Sequence, residues 1–113
     1  MAVALGKSGF PPAYGVPQTV TLASGVITVS GPGQITICAE VLTTGNLTQV
    51  LGLTIKGQRI TVMADAGDTI TAVHGTYLRL LRGVNFGISG NFSMVLEYIG
   101  DGICMEISRS PNS

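Results

Sequence analysis

The stretch Ser93-Met-Val-Leu-Glu-Tyr-Ile-Gly-Asp-Gly-Ile-Cys-Met-Glu-Ile-Ser-Arg-Ser110 predicts a β-hairpin near the end of the chain. Its two halves are rich in strand-forming residues. Gly100-Asp-Gly102 between them supplies the positive φ angles that tight hairpins require. This hairpin decides the interpretation of the chain, because the segments before it repeat the same combination of short apolar runs and turn residues.

Short β-rich runs follow one another from residue 18 onward, at a spacing typical of an all-β sandwich or barrel. With 16 glycines and no sustained 3.6-residue apolar period, the chain should contain at most one helical turn. Lys56-Gly57 predicts a two-residue hairpin, whereas residues 65–68, 83–87 and 88–91 are predicted as turns. About eight strands are expected, at 18–23, 26–30, 34–40, 50–55, 58–64, 69–73 and 77–81 and in the final hairpin.

The chain of 113 residues is poor in charge: 11% of its residues are charged and 45% are hydrophobic. An ordinary soluble domain has about 25% charged residues, so the shortage lies on the surface and favours burial against neighbours. Six basic residues balance six acidic ones, which argues against nucleic acid as a partner. No run of about 18 apolar residues or secretory signal is present, so we expect no membrane segment and a protein that remains where it is made.

Residues 1–17 differ from the rest of the chain, since Phe10-Pro-Pro-Ala-Tyr-Gly-Val-Pro17 contains three prolines and two aromatic residues without alternation. Proline fixes φ and removes backbone donors, which predicts an extended N-terminal arm preceding a single domain over 18–113. We expect Phe10, Pro11, Pro12 and Tyr14 to anchor this arm on its own domain or on a partner. A partly ordered tail is the alternative.

The two cysteines, Cys38 and Cys104, form either one disulfide or two buried thiols that act as small apolar side chains. Asp65 and Asp68 flank a glycine and could bind calcium, but the segment lacks the ligand density of a known calcium loop. We therefore predict no metal and no other cofactor.

Any catalytic site would have to include His74, the single histidine, whose alternative role is a turn histidine satisfied by the backbone. No nucleophile elbow, zinc motif or phosphate loop accompanies it, so we do not expect an enzyme. Glu97 and Glu106 on the final hairpin could form a glycosidase carboxylate pair, or each could pair with a base such as Arg79, Arg82 or Arg109.

The close Glu106-Ile-Ser-Arg-Ser110 resembles the final strand of small β-rich virion proteins of tailed phages, which also occurs in phage fibre modules. Gly25-Val-Ile-Thr-Val-Ser-Gly-Pro-Gly33 and the strand after it resemble the opening hairpin of that family, and Arg59-Ile-Thr-Val-Met63 and Tyr77-Leu-Arg-Leu-Leu81 resemble later parts. Members usually carry a Trp where this chain has Cys104. We expect Met94 and Met105 to fill the missing volume.

The resemblance implies an antiparallel, jelly-roll-like β-sandwich that assembles as a homotrimer on a phage particle. It implies a capsid decoration, or cement, protein on the outer shell, assembled in the host cytoplasm with the major capsid protein as partner. The alternative is a tail or fibre-tip protein that binds a host receptor through loops at 43–46 or 83–91. A hydrolase or lectin unrelated to virions is a third hypothesis, and it requires a cleft at His74.

Overall fold

The computed structural model describes residues 17–110, and its regular structure is almost entirely β. The prediction of an all-β protein is confirmed. One helical turn, a 3-10 turn at Leu81–Gly83, lies within the described part of the chain. The described residues form eleven strands, whereas about eight were predicted. They are β1 Gln18–Thr21, β2 Val26–Thr28, β3 Gly33–Cys38, β4 Thr44–Leu47, β5 Gln49–Leu51, β6 Arg59–Ala64, β7 Thr69–Ala72, β8 Leu78–Arg79, β9 Phe86–Ser89, β10 Ser93–Gly100 and β11 Ile103–Ser110.

The strands form three sheets, and the middle part of the chain visits them in rotation. Sheet A has the order β1-β3-β6-β10-β11-β8, sheet B pairs β2 with β5, and sheet C has the order β4-β7-β9. From β2 to β7 the chain passes through sheets B, A and C twice, so it winds through two solenoid-like coils. The strands of one coil stack on those of the next.

Strand direction differs from the prediction of an antiparallel, jelly-roll-like sandwich, because the sheets are mixed. Five pairings are parallel: β1 with β3, β3 with β6, β2 with β5, β4 with β7, and β8 with β11. Three are antiparallel: β6 with β10, β10 with β11, and β7 with β9. Successive coils run the same way round, which makes their stacked strands parallel. Strand direction could not be predicted because alternating apolar residues indicate that one face of a strand is buried, and this pattern is the same for parallel and antiparallel neighbours.

Two predicted hairpins are corners between sheets. β5 and β6 flank Lys56-Gly57 but lie in sheets B and A, and β2 and β3 flank Gly31-Pro-Gly33 and also lie in sheets B and A. The corners stack, since the amide of Val29 donates a hydrogen bond to the carbonyl of Leu51 at 2.8 Å. Glycines at positive φ turn the chain at each corner without closing a ladder between the flanking strands.

The final hairpin is confirmed. β10 and β11 are antiparallel neighbours, and all three residues of Gly100-Asp-Gly102 have positive φ, at 100°, 56° and 74°. A β-bulge interrupts the ladder, since Val95 pairs with Ser108 whereas Leu96 pairs with Glu106. The extra residue, Ile107, changes which later side chains of β11 face inward.

Two strands occupy segments that the sequence predicted as loops or turns. β4 covers most of the predicted loop at 43–46, and β9 lies inside the predicted turns at 83–91. Gly45 in β4 belongs there because a methyl group in its place would lie 2.6 Å from Cδ1 of Leu22. Both strands pair with β7. Gly45 and Asn46 in β4 and Gly87 in β9 have weak strand propensity, which weakened the strand signal of these two segments.

The core lies between the three sheets, where inward side chains stack from coil to coil. In sheet A, Ile35 pairs with Val62 and Val62 with Met94. These three side chains are fully buried, and burial of each such side chain stabilises the fold by about 1.5–3 kcal/mol. The coils are therefore held together by an internal column of apolar residues as well as by backbone hydrogen bonds.

Cys104 is completely buried and pairs with Tyr98 and Leu78 on the neighbouring strands. Met94 is buried in the core, but it lies four residues along β10 from Tyr98, the register partner of Cys104. Met105 is not in the core, because it follows Cys104 on a strand and therefore points to the opposite, exposed face.

Candidate functional site

His74 lies in the turn between β7 and β8, where its ring accepts a hydrogen bond from the backbone. Its Nδ1 accepts a hydrogen bond from the amide of Leu80 at 3.0 Å, and its own amide donates to Oδ1 of Asn85 at 2.9 Å. The sequence analysis gave two roles for His74, a catalytic residue or a turn histidine that is hydrogen-bonded to the backbone. The hydrogen bond from Leu80 matches the second role. The imidazole orders the turn before the 3-10 segment.

Asp65 and Asp68 form a turn whose hydrogen bonds connect two strands of sheet A. The amide of Asp68 donates to the carbonyl of Asp65 at 2.9 Å, and Oδ2 of Asp68 accepts from the amide of Ala39 at 2.9 Å. Residues 17–110 contain no group of three or more His, Cys, Asp or Glu side chains that could hold a metal ion. Asp68 thus connects the segment after β3 to the turn between β6 and β7.

Glu97 and Glu106 lie on opposite faces of the final hairpin. Glu97 pairs in register with Met105, whereas Glu106 pairs with Leu96, whose side chain is buried. Each carboxylate has a separate arginine: Glu97 lies 2.8 Å from Nε of Arg59, and Glu106 lies 2.6 Å from Nε of Arg109. The pairing of Glu106 with Arg109 was among those predicted, but that of Glu97 with Arg59 was not. The two carboxylates do not form the glycosidase pair.

The Glu106–Arg109 pair attaches the final strand to the segment after β8. Oε1 of Glu106 accepts from the amide of Leu81 at 2.8 Å and from Nη2 of Arg109 at 2.7 Å. The same Nη2 donates to the carbonyl of Val84 at 3.0 Å, and the guanidinium lies 4.6 Å from the centroid of the Phe86 ring. The two charged residues of the closing motif therefore have a structural role.

Glu106 is 2% exposed, and its environment determines its ionisation. Burial raises the pKa of this carboxyl, but the hydrogen bonds from Arg109 and from the amide of Leu81 and the positive charge of Arg109 lower it by more. The net result is a pKa below the ordinary value of 4.5. The pair is ionised at neutral pH, because each charge has a partner that offsets the loss of solvation.

Cys38 and Cys104 are both free thiols, so the predicted alternative of a disulfide is excluded. Burial raises the pKa of Cys104 to about 11. Partial burial raises the pKa of Cys38, and the nearby carboxylate of Asp65 adds to the effect. Both thiols are protonated at neutral pH, which makes them poor nucleophiles.

The surface carries several large apolar side chains, and two adjacent ones lie in the turn after β3. Leu42 is 89% exposed and Val41 is 64% exposed. Leu42 also has a φ of 57°, a conformation that costs a leucine about 1–2 kcal/mol. The others are Leu51, Ile55, Tyr77, Leu81, Val84, Phe92 and Met105.

A shallow pocket of about 570 Å³ opens at the corner between sheets B and A. Pro32 and Ile55 supply apolar surface, and Lys56, Gln58 and Arg59 supply polar groups. The corner residues are ordered by Gln58, whose Oε1 accepts from the amides of Thr54 and Ile55 at 3.0 and 3.1 Å. The pocket mixes apolar and cationic surface, which suits contact with another protein.

The predicted partner-contact residues Phe10, Pro11, Pro12 and Tyr14 lie outside the described residues. The apolar turn at Val41–Leu42 and the pocket around Ile55 were not identified from the sequence. A signal for the turn exists in retrospect, since two adjacent apolar residues stand there between Glu40 and Thr43. Of the segments that the structure describes, none is a helix long and apolar enough to cross a membrane.

No protein-family model matches the chain, and comparison with curated proteins and with solved structures gives no significant match.

Proposed function

We propose that this protein is a structural component of a tailed-phage virion that decorates the outer surface of the capsid. In this proposal it assembles in the host cytoplasm, associates with itself as a homotrimer and binds the major capsid protein. It stabilises the shell by adding contact area across joints between shell subunits. Each added contact raises the free energy needed to separate them. The proposed role is structural, with no catalytic step and no cofactor.

The observation that carries the proposal is a charge-poor surface with exposed apolar side chains on a well-packed body. Side chains such as Leu42 and Ile55 are more than half exposed, and their burial at an interface would be favourable. Protein interfaces are depleted of charge at their centres, as is this sequence, of which 11% is charged.

The closing motif supports the proposal in a second way. Glu106 and Arg109 connect the final strand to the Leu81–Val84 segment, so the resemblance to phage virion proteins rests on residues with a defined role in the fold. A family that shares this fold would retain both residues for stability.

The arm at residues 1–17 is proposed to extend the contact with the shell. Phe10 and Tyr14 would anchor it, because large aromatic side chains bury much apolar area at little cost in side-chain entropy. Pro11 and Pro12 would hold the backbone extended, which reduces the entropy lost when the arm binds.

The alternative of a receptor-binding fibre tip relied on loops at 43–46 and 83–91. The structure places β4 and β9 in these segments, so much of their backbone is paired with β7. Receptor-binding surfaces are commonly built from loops, and these two segments contain fewer loop residues than the sequence predicted. We therefore favour capsid decoration.

The test is co-sedimentation of the purified protein with assembled shells of the phage that encodes it, after the shells have been stripped of their own copies. The proposal predicts saturable binding and a higher temperature of shell disruption. A variant without residues 1–17 should bind more weakly while keeping the β circular dichroism spectrum. Absence of binding by the full chain would refute the proposal, and unchanged binding by the truncated chain would refute the role of the arm.

A further inference from the structure

The Val41–Leu42 turn presents apolar side chains to solvent on a strained backbone. Val41 and Thr44 form an antiparallel bridge that closes the turn, and Leu42 lies between them at a φ of 57°. Glycine or asparagine adopts this conformation more readily than leucine. A leucine that is 89% exposed gains little from burial within its own chain. An outlier of this kind, unfavourable in both backbone and solvation, indicates a residue selected for contact with something else.

The pocket at the corner between sheets B and A is concave, whereas the Val41–Leu42 turn is exposed to solvent. The pocket's volume of about 570 Å³ lies within the range of roughly 300–1,000 Å³ of pockets that enclose small molecules, which is enough for one or two side chains. Ile55, which is 65% exposed, and Pro32 provide an apolar surface that no residue of the described chain covers. The size and lining fit a short apolar turn from another molecule.

The turn and the pocket lie at opposite ends of the same strand. Gly33, the first residue of β3, lines the pocket, and Val41 follows Cys38, the last residue of β3, by three positions. Six strand residues span about 20 Å, so Leu42 cannot reach the pocket of its own chain. The pocket is lined by the two stacked corners, Pro32 and Gly33 before β3 and residues 55–59 before β6. The turn follows β3 at the other end of that strand, so a second copy can bring its turn to this pocket.

The charges beside the two features are complementary. Glu40 is exposed next to the turn, with Oε1 accepting a hydrogen bond from the amide of Ser24 at 2.7 Å. Lys56 is exposed at the pocket, and among residues 17–110 it has no ion-pair partner within 4.0 Å. The other cation at the pocket, Arg59, is paired with Glu97. A contact between copies would place the carboxylate of Glu40 near the ammonium of Lys56, which fixes the register of the two copies.

We propose that the Val41–Leu42 turn of one copy docks in the pocket around Ile55 of a second copy, with Glu40 facing Lys56 across the contact. The two surfaces differ, so the contact is head-to-tail, and it closes a ring of three when successive copies are related by a third of a turn. The number of copies, three, comes from the proposed function. The residues in contact come from the structure.

The experiment is light scattering of the full chain after size-exclusion chromatography, over a range of concentrations. We expect the wild type to be a trimer and Leu42→Asp to be monomeric. The substitution should raise the dissociation constant of the trimer by at least about tenfold. Val84→Asp is the matched control, because it places the same charge at an exposed apolar residue away from both features, and it should remain a trimer. Circular dichroism verifies that both variants fold.

Two further sets of variants separate contact from folding. Leu42→Gly relieves the backbone strain, so it should leave the monomer as stable or more stable while weakening association. Glu40→Lys and Lys56→Glu should each weaken the trimer, and the two changes combined should restore it. A trimer that survives Leu42→Asp would overturn the proposal, as would a wild type that is monomeric at every concentration. If deletion of residues 1–16 separates the copies but Leu42→Asp does not, the arm occupies the pocket and the proposal is wrong.

The same samples distinguish this inference from the proposed function. A wild-type monomer that still co-sediments with shells would refute the contact between copies and leave capsid decoration standing. A trimer that depends on Leu42 but does not bind shells would refute capsid decoration and leave the contact standing.

Discussion

The guanidinium of Arg109 and the carboxylate of Glu106 form a two-point ion pair, with Nε–Oε2 and Nη2–Oε1 distances of 2.6 and 2.7 Å. Residues three apart on a regular strand point to opposite faces. Here the β-bulge at Ile107 brings both side chains to the same face. The pair therefore depends on an irregularity in the hairpin, and the hairpin is in turn fixed to the Leu81–Val84 segment.

Replacing Glu106 by glutamine should lower the free energy of unfolding by about 3 kcal/mol. The change leaves Arg109 without its counter-charge, and breaking a buried pair from one side typically costs about 3–5 kcal/mol. Urea unfolding followed by circular dichroism measures the loss. Glu97→Gln is the control, because its partner Arg59 has 57% of its side chain exposed and such pairs contribute at most about 1 kcal/mol. Equal losses in the two variants would contradict the structural role of the Glu106 pair.

The stabilisation from Glu106 should depend on pH in the acid range. Its pKa in the folded protein lies below the ordinary value of 4.5, so the contribution is complete above that pH and disappears as the pH falls through the folded pKa. The difference in unfolding free energy between wild type and Glu106→Gln should accordingly be constant from pH 7 to about 5 and narrow below that. Urea titrations from pH 7 to 3 provide the measurement. A difference that stayed constant down to pH 3 would show that Glu106 keeps the same protonation in folded and unfolded chains.

Gly52→Ala should destabilise the protein far more than Gly57→Ala. Both glycines have positive φ, at 105° and 95°, so both variants bear a similar backbone cost of about 1–2 kcal/mol. At Gly52 a methyl group would also lie 1.9 Å from the carbonyl oxygen of Val29, whereas nothing lies within 4 Å at Gly57. We expect Gly52→Ala to cost more than about 3 kcal/mol, because the stacked corners of sheets B and A must separate. Thermal denaturation of the two variants tests this, and similar midpoints would argue against the close approach of the coils.

The two thiols should differ in their access to reagents. Cys38 is half-buried at the end of β3 and Cys104 is fully buried, with a pKa raised to about 11. At pH 8 we expect slow alkylation of Cys38 by iodoacetamide and protection of Cys104 until the protein is unfolded in urea. Mass spectrometry of the alkylated peptides distinguishes the sites. Equal labelling of both cysteines in the native protein would place Cys104 outside the core.

The final hairpin could be predicted because its information is local. Gly100-Asp-Gly102 determines the turn, and the runs on either side supply the strands. The coils could not be predicted in the same way, since the spacing between stacked strands is irregular. Gln18 pairs with Ile35, 17 residues later, whereas Gly33 pairs with Ile60, 27 residues later. A repeat of constant length would have been visible in the sequence.

The candidate interaction surface was missed for a different reason. The sequence analysis pointed to Phe10 and Tyr14, where prolines and aromatic residues are concentrated. Val41 continues the alternating apolar pattern of the strand before it, and Leu42 follows it directly. Only the backbone shows that Leu42 has a positive φ and lies outside the core. Exposure of an apolar residue depends on where the chain turns, and a turn without glycine or proline gives little sequence signal.

The copy number of this protein in purified virions, relative to the major shell protein and measured by quantitative mass spectrometry, tests capsid decoration most directly. Capsid decoration predicts a copy number comparable to that of the shell protein. A few copies per particle would place the protein in the tail, and absence from the particle would contradict a virion role altogether.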